Sequence, residues 1–209
     1  MRAYIYVGGE IDPPFITEAP SEGDLTVAAD SGWHNAAALG VTPDVLIGDF
    51  DSIGGGELPP AREILQVPAE KDRTDTQLAV SFALEKGADE ILIVGGLEGR
   101  LDHTLSTLSV LEELSEKKIP AVITSGRNRA RFVRDSGVIL PKSPYFTYFS
   151  ILSADEKLKG VTVEGAKYPL KNATLLRKTQ YTVSNEIVGN CALVEIRRGG
   201  AWIIESADD

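Results

Sequence analysis

Carboxylates gather in this chain where apolar runs stop. Val45-Leu46-Ile47 runs out into Gly48-Asp49-Phe50-Asp51-Ser52. Ligands of open parallel sheets sit outside the carboxyl ends of the strands. Asp49 and Asp51 at such an end can share a cation with water and phosphate oxygens, the arrangement Mg²⁺ prefers to an all-protein cage. Taken alone, an Asp-x-Asp is better explained as a polar turn that caps the next segment. A second cluster, Lys71-Asp72-Arg73-Thr74-Asp75, lies between another apolar run and a helical pattern. Thr74 suits an N-cap and Asp75 the first turn, and capping alone would account for both. Lys71 and Arg73 beside the acids suit phosphate and metal held together.

The third cluster is Gly95-Gly96-Leu97-Glu98-Gly99-Arg100-Leu101-Asp102-His103. Glycines let a backbone approach phosphates closely, and a helix start adds positive potential. Arg100 can pair with phosphate and stabilise charge moving to a leaving group. Asp102 can orient an acceptor, hold metal-bound water or cap the helix. His103 at a helix start reads as a structural group behind the site. The loop is neither a P-loop nor a dinucleotide fingerprint, since both require other glycine spacings. Asp30, in Ala29-Asp30-Ser31-Gly32, either joins the acidic set or caps the next helix. Gly8-Gly9 is a close-approach loop or a simple turn.

These clusters need elements to hold them. Tyr4–Val7, Leu25–Ala29, Val45–Ile47, Ile64–Val67, Ile91–Val94 and Ala121–Thr124 read as strands, several nearly continuous in Val, Ile and Leu, as buried parallel strands are. Between them, Gly32–Leu39, Thr74–Lys86 and Leu101–Lys118 carry helical patterns. This alternation predicts an α/β fold: an open, mostly parallel sheet domain over residues 1–128. Beyond it Thr147–Leu152, Val161–Glu164, Ala173–Leu176, Ala192–Ile196 and Ala201–Ile204 are short β-type runs separated by turn signals. Residues 129–209 are therefore expected to form a smaller all-β sandwich, with the break near Asn128–Phe132. At about 80 residues this half is marginal alone, so packing on the first half or on a second subunit is expected.

Bulk properties narrow the partners. The chain has 209 residues, 31 acidic against 21 basic, and a formal net charge of −10. Such a balance disfavours nucleic acid and anionic lipid as partners. The single cysteine, Cys191, allows no internal disulfide and reads as a small strand residue. No signal-peptide pattern opens the sequence, and no apolar run nears the roughly 20 residues of a spanning helix. A cytoplasmic, soluble protein is expected.

In order along the chain, Ala29-Asp30-Ser31-Gly32, Pro43-Asp44…Ile47-Gly48-Asp49-Phe50-Asp51-Ser52, Lys71-Asp72-Arg73-Thr74-Asp75 and Gly95-Gly96…Gly99-Arg100-Leu101-Asp102-His103 resemble the thiamine pyrophosphokinase family. Gly165-Ala166-Lys167-Tyr168-Pro169-Leu170 and Val183-Ser184-Asn185-Glu186 extend the resemblance over nearly the whole chain. It implies an α/β domain that binds ATP and Mg²⁺, a β-sandwich that binds thiamine, and a homodimer with thiamine at the subunit interface. It also implies transfer of diphosphate from ATP to the thiamine hydroxyl, giving thiamine diphosphate and AMP.

By the resemblance, Asp49, Asp51 and Asp75 fall on the metal and phosphate region, with Arg100 and Asp102 beside them in catalysis. Asp30, Lys71, Arg73, Thr74, Gly95 and Gly96 fall on the nucleotide side, and Tyr168, Ser184 and Asn185 on the thiamine side. Two departures stand out. Ser31 replaces a usual glycine and narrows backbone freedom there, and Tyr168 stands where many members carry Trp, offering a smaller stacking face. The rival readings are a diphosphokinase acting on another small alcohol such as a pterin, a nucleotide- or thiamine-binding module without turnover, and a metal-dependent phosphohydrolase.

Overall fold

A computed structural model describes residues 1–50, 59–68, 70, 72–179 and 181–208. The chain divides into two compact units, Met1–Gly126 and Arg127–Asp209. The first is built on six strands: β1 (Arg2–Tyr6), β2 (Leu25–Ala29), β3 (Val45–Gly48), β4 (Glu63–Gln66), β5 (Glu90–Val94) and β6 (Ala121–Thr124). They lie in the order β4-β3-β2-β1-β5-β6, and every neighbouring pair is parallel.

Both faces of the central strands are covered, so nearly every residue in β1, β2, β3 and β5 is buried. Successive side chains of a strand point to opposite faces. Tyr4 and Tyr6 of β1 therefore pack on one side, with Ala28, Leu46, Leu92 and Ala36 of helix α1 (Trp33–Ala38). Helix α2 (Asp75–Glu85) lies across β1, β2 and β3, and α3 (Leu101–Glu116) lies on β6.

The strand order carries the functional information. From β1 the chain steps outward through β2, β3 and β4, then returns to the other side of β1 as β5. Strand order thus reverses between β1 and β5, and the loops leaving their carboxyl ends open a crevice there. The two strands run in register from Arg2 opposite Glu90 to Tyr6 opposite Val94. The loops stay paired past the sheet, through Val7 N donating to Val94 O (2.9 Å) and Gly96 N donating to Gly8 O (3.0 Å).

The second unit has seven strands and, among the described residues, no helix: β7 (Asn128–Arg134), β8 (Gly137–Pro141), β9 (Tyr148–Ser153), β10 (Lys157–Glu164), β11 (Leu170–Leu176), β12 (Cys191–Arg198) and β13 (Gly200–Ser206). β7-β13-β9 and β11-β10-β12-β8 are antiparallel sheets. Their inward residues share one core, including Phe149, Ile151 and Ile203 from the first and Leu158, Val161, Val194 and Ile196 from the second. This is a β-sandwich with alternating inward and outward positions. β7 and β8 are additions to the runs expected from sequence, and the division at Gly126 precedes β7.

Candidate active site

A cleft of about 380 Å³ opens at the switch point of the first unit. Its walls come from four places: Val7, Gly8 and Gly9 after β1; Ala29, Asp30 and Ser31 after β2; Thr74, Asp75 and Thr76 at the start of α2; and Gly96, Glu98, Gly99, Arg100, His103 and Thr107 from the β5–α3 connection.

Two glycines make this convergence possible. A Cβ on Gly32 would overlap the carbonyl oxygen of Tyr6, so no larger residue lets the β2 loop close on the end of β1. Gly95 has φ +99°, and a Cβ there would stand 2.5 Å from Val7 O. Asn35 of α1 completes the junction. Its side chain is buried (8% exposed), and Nδ2 donates to Val7 O (2.7 Å) and Gly9 O (2.9 Å). One amide thus holds both sides of Gly8 to α1. The sequence reading missed this residue. Its one signal was a poor helix former inside an Ala-rich helical run.

Asp30 lies at the carboxyl end of β2 with φ 45°, in the left-handed region. The N-cap position of helix α1 is Gly32, so neither Asp30 nor Ser31 occupies it. Ser31 is not the left-handed residue of this turn. The expected constraint from its replacing a glycine therefore does not arise, and its Oγ instead occupies the space beside Gly8. Gly48, at the end of β3, packs against Asp30, and a Cβ on Gly48 would meet Asp30 Cα at 3.1 Å. Asp49 is next in the chain, half-buried, outside the cleft walls. Asp51 and Lys71 fall outside the described residues. Among the described residues no group of three His, Cys, Asp or Glu side chains stands in metal-binding proximity. Asp44 of the Pro-Asp pair serves the opposite end of the sheet: Oδ2 accepts from Thr26 N (3.0 Å) and Thr26 Oγ1 (2.8 Å).

Thr74 is the N-cap of α2 in a reciprocal capping box. Its Oγ1 accepts from Gln77 N (3.3 Å), and Gln77 Oε1 accepts from Thr74 N (3.0 Å). This fixes the helix start and puts Asp75 in the first turn, where the helix dipole favours a carboxylate. Arg73 points along the helix instead, with Nη1 donating to Ser81 Oγ (3.0 Å).

Arg100 and Asp102 form a two-pronged pair, Nε to Oδ1 at 3.1 Å and Nη2 to Oδ2 at 2.6 Å. Asp102 Oδ1 also accepts from His103 N (3.0 Å). The Arg100 hydrogen bonds hold the Asp102 carboxyl below the usual carboxylate range, and the carboxylate in turn raises the guanidinium. The side chains are 73% and 65% exposed, so the pair contributes geometry rather than stability. Arg100 lines the cleft while Asp102 stands behind it. His103, expected behind the site, is itself a wall of the cleft.

In the second unit Tyr168 is 60% exposed, and its backbone is clamped by Asn185. Asn185 Oδ1 accepts from Tyr168 N (3.0 Å) and Glu186 N (2.9 Å), while Nδ2 donates to Tyr168 O (2.9 Å). The amide is largely spent on holding Tyr168. Asn185 is itself fixed by a backbone bridge to Phe149. Ser184 takes φ 56°, and its N–H donates to Ser150 Oγ (3.1 Å). Lys167 bonds Glu186 (2.6 Å), which raises its pKa, and it sits 5.7 Å from the Tyr168 ring centroid.

Comparison with known proteins gives the same two-part division. Residues 17–123 match the family model for the thiamin pyrophosphokinase catalytic domain, and residues 137–199 match that for its vitamin B1 binding domain. The chain is 30% identical over 201 residues to thiamine pyrophosphokinase of Bacillus subtilis (strain 168), covering 93% of each. Thiamin pyrophosphokinase 1 of Caenorhabditis elegans is 29% identical over 153 residues, covering 69% of this chain and 63% of its own. The crystal structure of the Bacillus subtilis enzyme superposes with a TM-score of 0.87 at 27% identity over 100% of both chains. The thiamin pyrophosphokinase from Geobacillus thermodenitrificans does so at 0.84 and 26%, over 100% of this chain and 99% of that one.

Proposed function

We propose that this chain, which belongs to the thiamin pyrophosphokinase family and is an enzyme that transfers diphosphate, seats ATP in the strand-end cleft of its first unit. The observation that carries this reading is the convergence of a glycine-rich wall (Gly8, Gly9, Gly96, Gly99), two carboxylates (Asp30, Asp75) and a guanidinium (Arg100) at one topological switch point. The catalytic domain implies use of ATP, and the vitamin B1 binding domain implies binding of thiamine.

In the proposed reaction the thiamine hydroxyl oxygen attacks the β-phosphorus of ATP. The new O–P bond forms as the bond from that phosphorus to the α–β bridging oxygen breaks. AMP leaves with the electron pair, and the hydroxyl proton passes to solvent. Little covalent work falls to the protein, so positioning and charge dominate. The glycine wall lets phosphate oxygens approach the backbone without side chains in the way. Arg100, aimed by Asp102, meets charge on the transferred group or on departing AMP. Asp102 is a weak base while so paired, and its proposed part is to position Arg100.

Asp75 lines the cleft and Asp49 adjoins the Gly48 that packs on the cleft residue Asp30, oxygen donors of the kind Mg²⁺ takes. Asp49, Asp51 and Asp75 are the proposed ligands. Bound there, the ion would neutralise phosphate charge. Lys71, Arg73, Thr74, Gly95 and Gly96 complete the proposed nucleotide side. Tyr168 offers a stacking face for the thiamine ring, presented by Asn185 and flanked by Ser184. The exposed Tyr168, Tyr181, Val183 and Val188 support a homodimer as the working form. A cytoplasmic location is part of the same proposal. Among the described residues no helix is long and apolar enough to cross a membrane.

The test is a product assay with ATP, Mg²⁺ and thiamine that resolves AMP from ADP. AMP appearing with thiamine diphosphate is the expected result. ADP with thiamine monophosphate would overturn attack at the β-phosphorus. Turnover with a pterin alcohol in place of thiamine, free phosphate with no acceptor, or binding without turnover would each select the corresponding rival.

A further inference from the structure

Several of the cations described in this chain pair with a carboxylate. Arg2 pairs with Glu90, Arg62 with Asp44, Lys117 with Glu113, Arg131 with Glu205, Arg134 with Asp155 and Lys167 with Glu186. With 31 acidic residues to 21 basic, such partners are abundant. Three cations of the second unit instead stand together. Lys159, Arg197 and Arg198 line a cleft of about 630 Å³ with Asp135, Gly160, Asn172 and Thr174.

The strand register sets two of them face to face. Lys159 of β10 is directly opposite Arg198 of β12, so two like charges share one face of the sheet. Like charges in that position repel and destabilise the pair. On its other side Lys159 is opposite Thr174 of β11, which carries no compensating charge. The ladder shifts register just after Lys159, and Gly160 takes φ +67° there. The side chain of Arg197 fills the space above that glycine, with its Cβ 2.7 Å and its Nε 3.3 Å from where a Cβ on Gly160 would stand. Arg197 thus packs beside Gly160 and lines the same cleft as the Lys159–Arg198 pair. Among the described residues the cleft has one carboxylate, Asp135, whose Oδ1 accepts from the N–H of Gly199 at 2.7 Å. A cross-strand repulsion kept on an acidic protein, beside a glycine that admits a third cation, is a local cost explained by an anion that relieves it.

We infer that the Lys159–Arg197–Arg198 cleft is a binding site for a small polyphosphate anion, built wholly from the second unit and outside the proposed reaction. Two guanidiniums and an ammonium match the oxygens of a di- or triphosphate, and Asn172 and Thr174 add neutral donors at the rim. Among the described residues no aromatic or large apolar side chain lines the cleft, so recognition rests on the phosphates.

The test is an NMR titration of the full chain with inorganic triphosphate, following the amides of Lys159, Gly160, Asn172, Arg197 and Arg198. Saturable shifts are expected at these positions, weakening as salt rises. Lys159→Glu turns the repulsive cross-strand pair into an attractive one. It should therefore fold with an unchanged or higher Tm, yet bind triphosphate at least tenfold more weakly. Arg198→Gln should weaken binding with the fold intact. Shifts absent at millimolar triphosphate, or persisting unchanged in Lys159→Glu, would overturn the site. ATP should shift the same amides with the same affinity as triphosphate. A tenfold preference for ATP at these positions would overturn the phosphate-only recognition.

Discussion

Replacing Asn35 tests whether one buried amide sets the geometry of the cleft. Asn35→Ala removes two donated hydrogen bonds, to Val7 O at 2.7 Å and Gly9 O at 2.9 Å. Val7 is buried, so its carbonyl cannot turn to water in compensation. Such an orphan costs about 1–3 kcal/mol. Gly9 is exposed, and its carbonyl recovers a water at little cost. Adding the loss of a buried side chain gives a destabilisation of about 2–4 kcal/mol. Released from α1, the Val7–Gly9 wall of the proposed nucleotide cleft no longer holds one conformation, and a displacement of about 1 Å costs on the order of 100-fold in rate. Asn35→Asp discriminates the cause. It keeps the shape but sets an anionic oxygen against two carbonyl oxygens, so it should be at least as harmful as alanine. Urea unfolding and steady-state AMP release would measure both effects. If Asn35→Asp were milder than Asn35→Ala in both, packing volume would be the operative property and the donor argument would fail.

The same geometry makes other outcomes testable. Arg100→Lys keeps the charge but loses the two-pronged grip on Asp102. It should lower kcat about tenfold or more and leave the urea midpoint essentially unchanged, because the pair is exposed. Asp102 should stay ionised, and Arg100 aimed, at pH values where ordinary carboxylates have begun to protonate. Its proton affinity is lowered in the folded chain, so the interaction is present above the unfolded pKa and lost only as pH falls through the lower folded one. The low-pH loss of kcat in a pH–rate profile should therefore reflect other carboxylates, and Asp102→Asn should leave its midpoint in place while lowering the plateau. Tyr168→Phe should retain the thiamine KM. Tyr168→Ala should raise it about tenfold with the ATP KM unchanged, as kinetics with either substrate varied would reveal. Asn185→Ala should also raise the thiamine KM, but with a measurable loss of Tm, because its amide holds the Tyr168 backbone.

The legibility of the sequence tracked burial. β1, β2, β3 and β5 are covered on both faces, so each is an uninterrupted apolar run that shows without any partner. β7, Asn128-Arg129-Ala130-Arg131-Phe132-Val133-Arg134, reads as a charged connection. Its strand character rests on Glu205 of β13, which is 3% exposed and bonds Arg131 at 2.6 Å. That neutralising partner lies 74 positions away, and no local window contains it. The site divides the same way. Asp30, Asp75, Arg100 and Gly96 could be read because each ends a strand or begins a helix, and the sheet topology brings those places together. Asn35 could not, because its meaning lies in two carbonyls 26 and 28 positions away. Asn185 was legible as a motif position, but its work of holding the Tyr168 peptide shows only in the hydrogen bonds.

Backbone strain points to the same places independently of the motifs. Among the described residues six non-glycines take positive φ, and three of them, Asp30, Phe50 and Ser184, fall inside the recognised segments. A left-handed non-glycine residue costs roughly 1 kcal/mol or more relative to glycine, somewhat less for Asp. Glycine would make each turn more cheaply, so the side chain must return the difference. Phe50 does so by packing into the core with Tyr4, Tyr6 and Leu46, which ties the Asp49 segment to β1. Asp30 has no such apolar return: it is half-buried and lines the cleft. Ser184 is exposed beside the Asn185 clamp. Asp30 and Ser184 thus hold left-handed turns at a wall of the cleft and beside the Asn185 clamp, so backbone strain and motif mark the same two places.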